Sequence, residues 1–291
     1  MGQRKGRGLS AALWVAAFIV TVALAFFQRL TGPSHPSRGA VTLADGQELR
    51  YRLPRSNEGR DSLVISLPQP AGDARVAVEW RRYPTDEPYR TMVMEPSSSG
   101  RLEASISRLP AAAKVEYTIR VETGGIEVQV PPGETVVARF RDPVPAAVLV
   151  PHILAMFASM LVSTRALFEV ARRSAPSGRG LVLTAMGLLM IGGLCLGPLV
   201  QKFAFGAYWT GWPFGTDLTD NKTLIAFLAW LPATVAAVKG LRTRVAVALG
   251  WVVMMGVFLI PHSLRGSELD WSESGSAAGA SEVRDGGREA G

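Results

Sequence analysis

The sequence predicts an α+β membrane protein with an N-terminal transmembrane anchor, an extracytoplasmic β-sandwich and a C-terminal four-helix transmembrane bundle. Three observations predict it. Apolar stretches run over Ala11–Phe27, Val144–Val170, Leu181–Val200, Thr223–Val238 and Val245–Pro261, and about 20 such residues at ~1.5 Å each cross a ~30 Å hydrocarbon layer. Between the first two stretches, apolar and polar residues alternate with a period of two, the pattern of half-buried strands. The surplus cations stand beside the apolar stretches, with no acid among them: Arg4, Lys5 and Arg7, then Arg172, Arg173 and Arg179, then Lys239, Arg242 and Arg244.

Composition agrees with a mixed protein. Of 291 residues, 48% are hydrophobic and 19% charged, and the mean hydropathy of +0.19 is high for a soluble chain and mild for a wholly intramembrane one. The net charge of +7 raises the possibility of a nucleic-acid partner. Its placement argues against one: residues 30–145 hold 15 Lys/Arg and 15 Asp/Glu, so the polar region offers no basic field to a phosphate backbone. The single cysteine, Cys195, lies in an apolar stretch, which rules out an intrachain disulfide and fits a small buried hydrophobe.

Residues 1–29 read as a basic cytoplasmic leader and anchor. The tripeptide Ala23-Leu24-Ala25 also fits a signal-peptide cleavage pattern, against which the apolar run continues through Phe27. Residues 30–38, with Pro33 and Pro36, form a linker. Residues 39–142 carry the strands, seven to nine of them, at 41–43, 48–53, 63–67, 76–80, 90–94, 102–106, 115–121, 126–130 and 135–140. Their charged residues are expected on solvated strand faces. Residues 143–264 form the four-span bundle. Within it Arg165 and Glu169, four apart on one helix face, form a paired, snorkelling couple. Gly192, Gly193 and Gly197 permit close helix approach, as do Ala246 and Gly250. Residues 265–291 are expected outside and, from Ser272 on, disordered.

The stretch Gln201–Lys222 is too rich in aromatics and glycine for a plain linker. Phe203, Phe205, Tyr208, Trp209, Trp212 and Phe214 are types that settle at the headgroup level, and Gly206, Gly211 and Gly215 allow turns. It reads as a membrane-surface plate, with Thr219 or Asp220 capping the next helix, Pro232 kinking it and Lys222 snorkelling outward. The basic clusters on the cytoplasmic side give five spans, with the sandwich, the plate and the C-terminal tail outside.

Two site readings follow. Tyr208, Trp209, Trp212, Asp217, Asp220 and Lys222 form either an interfacial belt with a helix cap or a site for a lipid, quinone or protein partner. His152 and His262, at the outer ends of two spans, are either interfacial histidines or ligands to b-type haem or a transition metal. Asp217, Asp220, Glu268 and Asp270 are then available as supporting acceptors. No phosphate-binding loop, nucleophile elbow, paired CxxC or zinc helix occurs, which leaves hydrolase and nucleotide-driven classes without support.

The stretch Ala77–Val130, with Trp80 on an early strand and Leu109-Pro110 leading into Val115-Glu116-Tyr117, resembles immunoglobulin-like and fibronectin type III domains. That resemblance implies a binding or spacer module without a catalytic centre. The wider arrangement, including Gln28-Arg29-Leu30-Thr31-Gly32-Pro33, the plate and residues 261–270, is similar to bacterial multi-pass membrane proteins to which no activity is attached. It implies a bacterial inner-membrane location, with the lipid bilayer and an envelope protein as partners. The resulting expectation is a non-enzymatic structural, docking or sensing component, and the alternative is a redox protein holding haem, a metal or a quinone near His152 and His262.

Overall fold

The computed structural model describes residues 2–32, 35–172, 178–260, 269 and 271. The chain divides into two compact units, Met1–His35 with Asp142–Ser267, and Pro36–Arg141 with Glu268–Gly291.

The second unit is built of strands: β1 (Ser37–Thr42), β2 (Glu48–Leu53), β3 (Ser56–Glu58), β4 (Leu63–Pro68), β5 (Arg75–Tyr83), β6 (Arg90–Val93), β7 (Glu95–Pro96), β8 (Arg101–Ile106), β9 (Lys114–Thr123), β10 (Ile126–Val130) and β11 (Val136–Arg141). All nine expected strands occur. The two unexpected ones, β3 and β7, are three and two residues long, too short to carry an alternation. β1 and β2 form a hairpin, β4-β8-β7 a three-stranded sheet, and β3-β11-β9-β5-β6 the path of a larger sheet, with β10 also paired to β9. Pairing is antiparallel except for β3, which lies parallel to β11.

Alternation decides which side chains enter the core. Leu63, Ile65 and Leu67 of β4 and Ile106 of β8 cluster with Val78 of β5, Val115, Tyr117, Ile119 and Val121 of β9 and Phe140 of β11. Each large apolar side chain so buried contributes roughly 1.5–3 kcal/mol. β9 departs from the expected pattern, because Glu116 on its other face is also buried. The reason is local: Arg81 of β5 lies across it in an ion pair, and Thr135 Oγ1 donates to its Oε2 at 3.5 Å. The solvated-face reading is wrong for this acid.

The first unit contains α1 (Gly2–Thr31), α2 (Ala146–Ala171), α3 (Arg179–Leu189), α4 (Gly197–Phe205), α5 (Leu218–Val238) and α6 (Arg244–Leu259). A π-helical segment, Met190–Leu196, joins α3 to α4 without a break. Among the described residues, Gly8–Thr31, Ala146–Ala171, Arg179–Phe205 and Leu218–Val238 are long and apolar enough to cross a membrane. The fifth expected span is the 16-residue α6, which at ~1.5 Å per residue falls short of ~30 Å.

α1 packs with the other helices of this unit. Ala17 and Thr21 are buried, Leu24 packs on the helical core, and Gln28 Nε2 donates to Phe258 O at 2.6 Å. At the other end of the helix Arg165 reaches Ser10 Oγ at 3.5 Å and lies 5.6 Å from the Trp14 ring. Arg165 and Glu169 are paired as expected, at 2.6 Å, yet at 4% and 9% exposure they are enclosed and do not snorkel.

Glycines let the helices close. A Cβ on Gly192 would stand 3.0 Å from Ala155 Cβ, and one on Gly193 would stand 2.6 Å from Thr223 Cγ2, so α2 and α5 approach the π-helical segment nearly backbone to side chain. A Cβ on Gly250 would meet Trp230 at 2.9 Å, and Trp230 is fully buried with its Nε1–H on Val182 O. α5 runs through Pro232 without interruption. Cys195, expected inside, is exposed.

Candidate functional site

The aromatic stretch is shorter as a loop than the sequence suggests. Gln201–Phe205 completes α4, whose end is set by Gly206 with φ +87°, and Leu218–Lys222 opens α5. The irregular part is 206–217. Its backbone N–H groups need acceptors, and the first turn of α5 supplies them. Asp217 caps α5, accepting from Thr219 N at 2.7 Å, so the cap is neither Thr219 nor Asp220. Asp220 instead reaches back, its Oδ2 accepting from Thr210 N at 2.6 Å, Gly211 N at 3.0 Å and Gln201 Nε2 at 3.0 Å. Asn221 Oδ1 accepts from Trp212 N at 2.7 Å.

Thr210 is the centre of this arrangement. Its hydroxyl accepts from Gln201 Nε2 at 2.5 Å and has Asp217 Oδ2 at 3.1 Å and Asp220 Oδ2 at 3.4 Å as acceptors, while its carbonyl accepts from Asp217 N. The two glycines have steric reasons. A Cβ on Gly211 would lie 2.6 Å from Asp220 Cβ, and one on Gly215 would lie 2.4 Å from Thr210 O. Neither Gln201 nor Thr210 stands out in the sequence, although a polar pair at the end of an apolar helix facing two acids is the signal that points to them.

Polar groups therefore face inward and aromatics outward. Tyr208, Trp212 and Phe214 are exposed, Phe214 at 83%, and Trp209 Nε1 is anchored on Trp212 O at 3.1 Å. Lys202 donates to Gly206 O at 2.7 Å and lies 5.4 Å from the Tyr208 ring. Lys222 contradicts its expected outward course: it is 2% exposed, and its Nζ donates to Ile260 O at 2.6 Å, just past the end of α6. A cation on the last carbonyls of a helix satisfies orphan acceptors and complements the helix dipole.

Of the two histidines, His262 lies outside the described residues, as do Glu268 and Asp270. His152 points to the π-helical segment, its Nδ1 2.9 Å from Gly192 O. A carbonyl only accepts, so Nδ1 carries the proton and Nε2 keeps its lone pair. Gly192 O accepts from Gly197 N as well, so the histidine fastens α2 to the helical distortion. This tautomer is the one adopted by a histidine that ligates a metal through Nε2. Among the described residues no group of three or more His, Cys, Asp and Glu gathers as metal ligands. Asp217 and Asp220 meet through Thr210, whereas His152 engages Gly192, 40 residues along the chain.

The β unit holds a second constellation that the sequence does not reveal. Arg81, Tyr83, Pro84, Thr85, Asp86 and Glu116 line an open cleft of about 300 Å³. Arg81 lies 4.8 Å from the Tyr89 ring, and burial, then the Glu116 charge, raises the Tyr89 hydroxyl above the usual tyrosine value. The hydrogen bond with Glu116 raises the Arg81 guanidinium, which stays charged throughout. No protein-family model, curated protein or solved structure matches this chain.

Proposed function

We propose that this chain is an integral protein of a bacterial inner membrane that holds an immunoglobulin-like β-sandwich on the outer face as a structural, docking or sensing part of an envelope complex. The observation that carries this reading is the sorting of polar groups along the helical unit. At one end Arg244 donates to Val170 O and Arg172 O, Arg179 opens α3 and Lys239 closes α5. At the other end lie the aromatic loop, Asp217 and Asp220. Cations beside spans are retained on the cytoplasmic side and exposed Trp and Tyr favour the interface, so the basic end faces in and the plate seats at the outer headgroups.

The sandwich reading is supported by the three-stranded and the larger sheet sharing one apolar core and by the larger sheet's order, with Trp80 inward. Binding through loops and edges suits such a module, and the cleft lined by Arg81, Thr85, Asp86 and Glu116 is a candidate place on it.

The rival reading is a redox protein with b-type haem, a metal or a quinone near His152 and His262. The protonated Nδ1 of His152 favours it, since Nε2 is then free to ligate. If haem were held, its iron would supply one-electron chemistry, and His152 would orient it from α2 through its bond to Gly192.

One preparation tests both. Membranes washed with alkaline carbonate should retain the chain, and the protein purified from them in mild detergent should bring an envelope protein with it and be colourless. Release by carbonate contradicts membrane integration. A Soret band that vanishes in His152→Ala contradicts the docking reading and establishes the redox one.

A further inference from the structure

The β unit is completed by residues from the far end of the chain. Leu269 and Trp271 both pack against its core. The Trp271 indole Nε1–H donates to the carbonyl of Tyr83, the last residue of β5, at 3.3 Å. On its face the Arg82 guanidinium lies 4.7 Å from the ring. Arg82 is itself fixed by Glu87, through Nε at 3.0 Å and through Nη2, so a flat cation is held ready for stacking. A cation over the ring and a carbonyl at its edge together suit an indole, whereas a phenyl ring can use only the cation.

We propose that Arg82 and Tyr83 form an indole-receiving site whose occupant is the chain's own Trp271, and that this docking makes the short helix α6 a full membrane crossing. The second half follows from counting and rests on the membrane reading above. After Asp142 the chain leaves the β unit, and α2, the α3–α4 helix and α5 give three crossings. Three would leave Trp271 on the face opposite Tyr83; the return to the β unit requires a fourth.

A helix of 16 residues can serve because its last carbonyls do not depend on water. Gln28 donates to Phe258 O and Lys222 to Ile260 O. The end of α6 is thereby satisfied by side chains of α1 and α5, which lets it stop below the membrane surface.

Two measurements on the full chain separate the halves. In detergent, hydrogen exchange of the amides of Tyr83, Thr85, Asp86 and Glu87 should accelerate about tenfold in Trp271→Ala and less in Trp271→Phe, because local opening then loses the bond and the stack. Unchanged exchange in Trp271→Ala overturns the indole site. In sealed membrane vesicles carrying Cys195→Ser, an impermeant maleimide should label Ser272→Cys and Ser99→Cys from the same side. Labelling from opposite sides overturns the crossing by α6. A chain that washes off the vesicles sinks the membrane reading and leaves the exchange result standing.

Discussion

Tyr117 shows how a single residue joins core and periphery. Its ring is fully buried, and its hydroxyl donates to Pro54 O at 2.7 Å. Desolvation raises its ionisation well above the usual value near 10. The native state therefore keeps a proton that the unfolded chain releases above about pH 10, so the stabilising effect is complete below that pH and is lost as pH rises further. Tyr117→Phe should cost about 1 kcal/mol at neutral pH through the lost hydrogen bond. It should also flatten the alkaline decline of stability by up to ~1.4 kcal/mol per pH unit. Urea unfolding of both proteins from pH 8 to 11 measures this; parallel curves contradict it. That Tyr117 points inward is legible in the alternation of 115–121. That its acceptor lies 63 residues away is not, because periodicity assigns a face and is silent on what crosses it. The same gap explains Glu116 and Lys222, both read as solvated and both enclosed by partners distant in sequence.

At the scale of elements, apolar length and alternation locate the long apolar helices and, among the described residues, each strand of four or more residues. How the helices are joined was not legible. α1 reads alone as an anchor or a cleavable leader, yet its Ser10, Trp14 and Gln28 are tied into α2 and α6. The buried Arg165–Glu169 pair lies at this junction. Removing Glu169 alone leaves an enclosed uncompensated cation, so Glu169→Ala should destabilise by roughly 3–5 kcal/mol, whereas replacing both residues by leucine should cost much less. Thermal unfolding in detergent decides this, and equal losses in the single and double variants contradict a coupled pair. The π-helical segment was hidden for a related reason: Gly192 and Gly193 announce close packing, but the Met156, Thr223 and His152 side chains that meet it come from other helices. In the aromatic loop, composition revealed an interface while concealing its scaffold, since Gln201 and Thr210 are unremarkable until the fold brings them to Asp217 and Asp220.

For the whole molecule, charge sorting connects sequence to placement. Arg172, Arg179, Lys239 and Arg244 lie at one end of the helical unit, and the loop with exposed Tyr208, Trp212 and Phe214 occupies the other. We propose that a membrane lies between these ends, with the β unit on its outer face. Cysteine mapping in intact cells tests it most directly, in a Cys195→Ser background. With an impermeant maleimide, Ser99→Cys in the β unit should react at once, and Arg242→Cys at the basic end should react only after the membrane is permeabilised. Immediate reaction of Arg242→Cys with protection of Ser99→Cys would contradict the account.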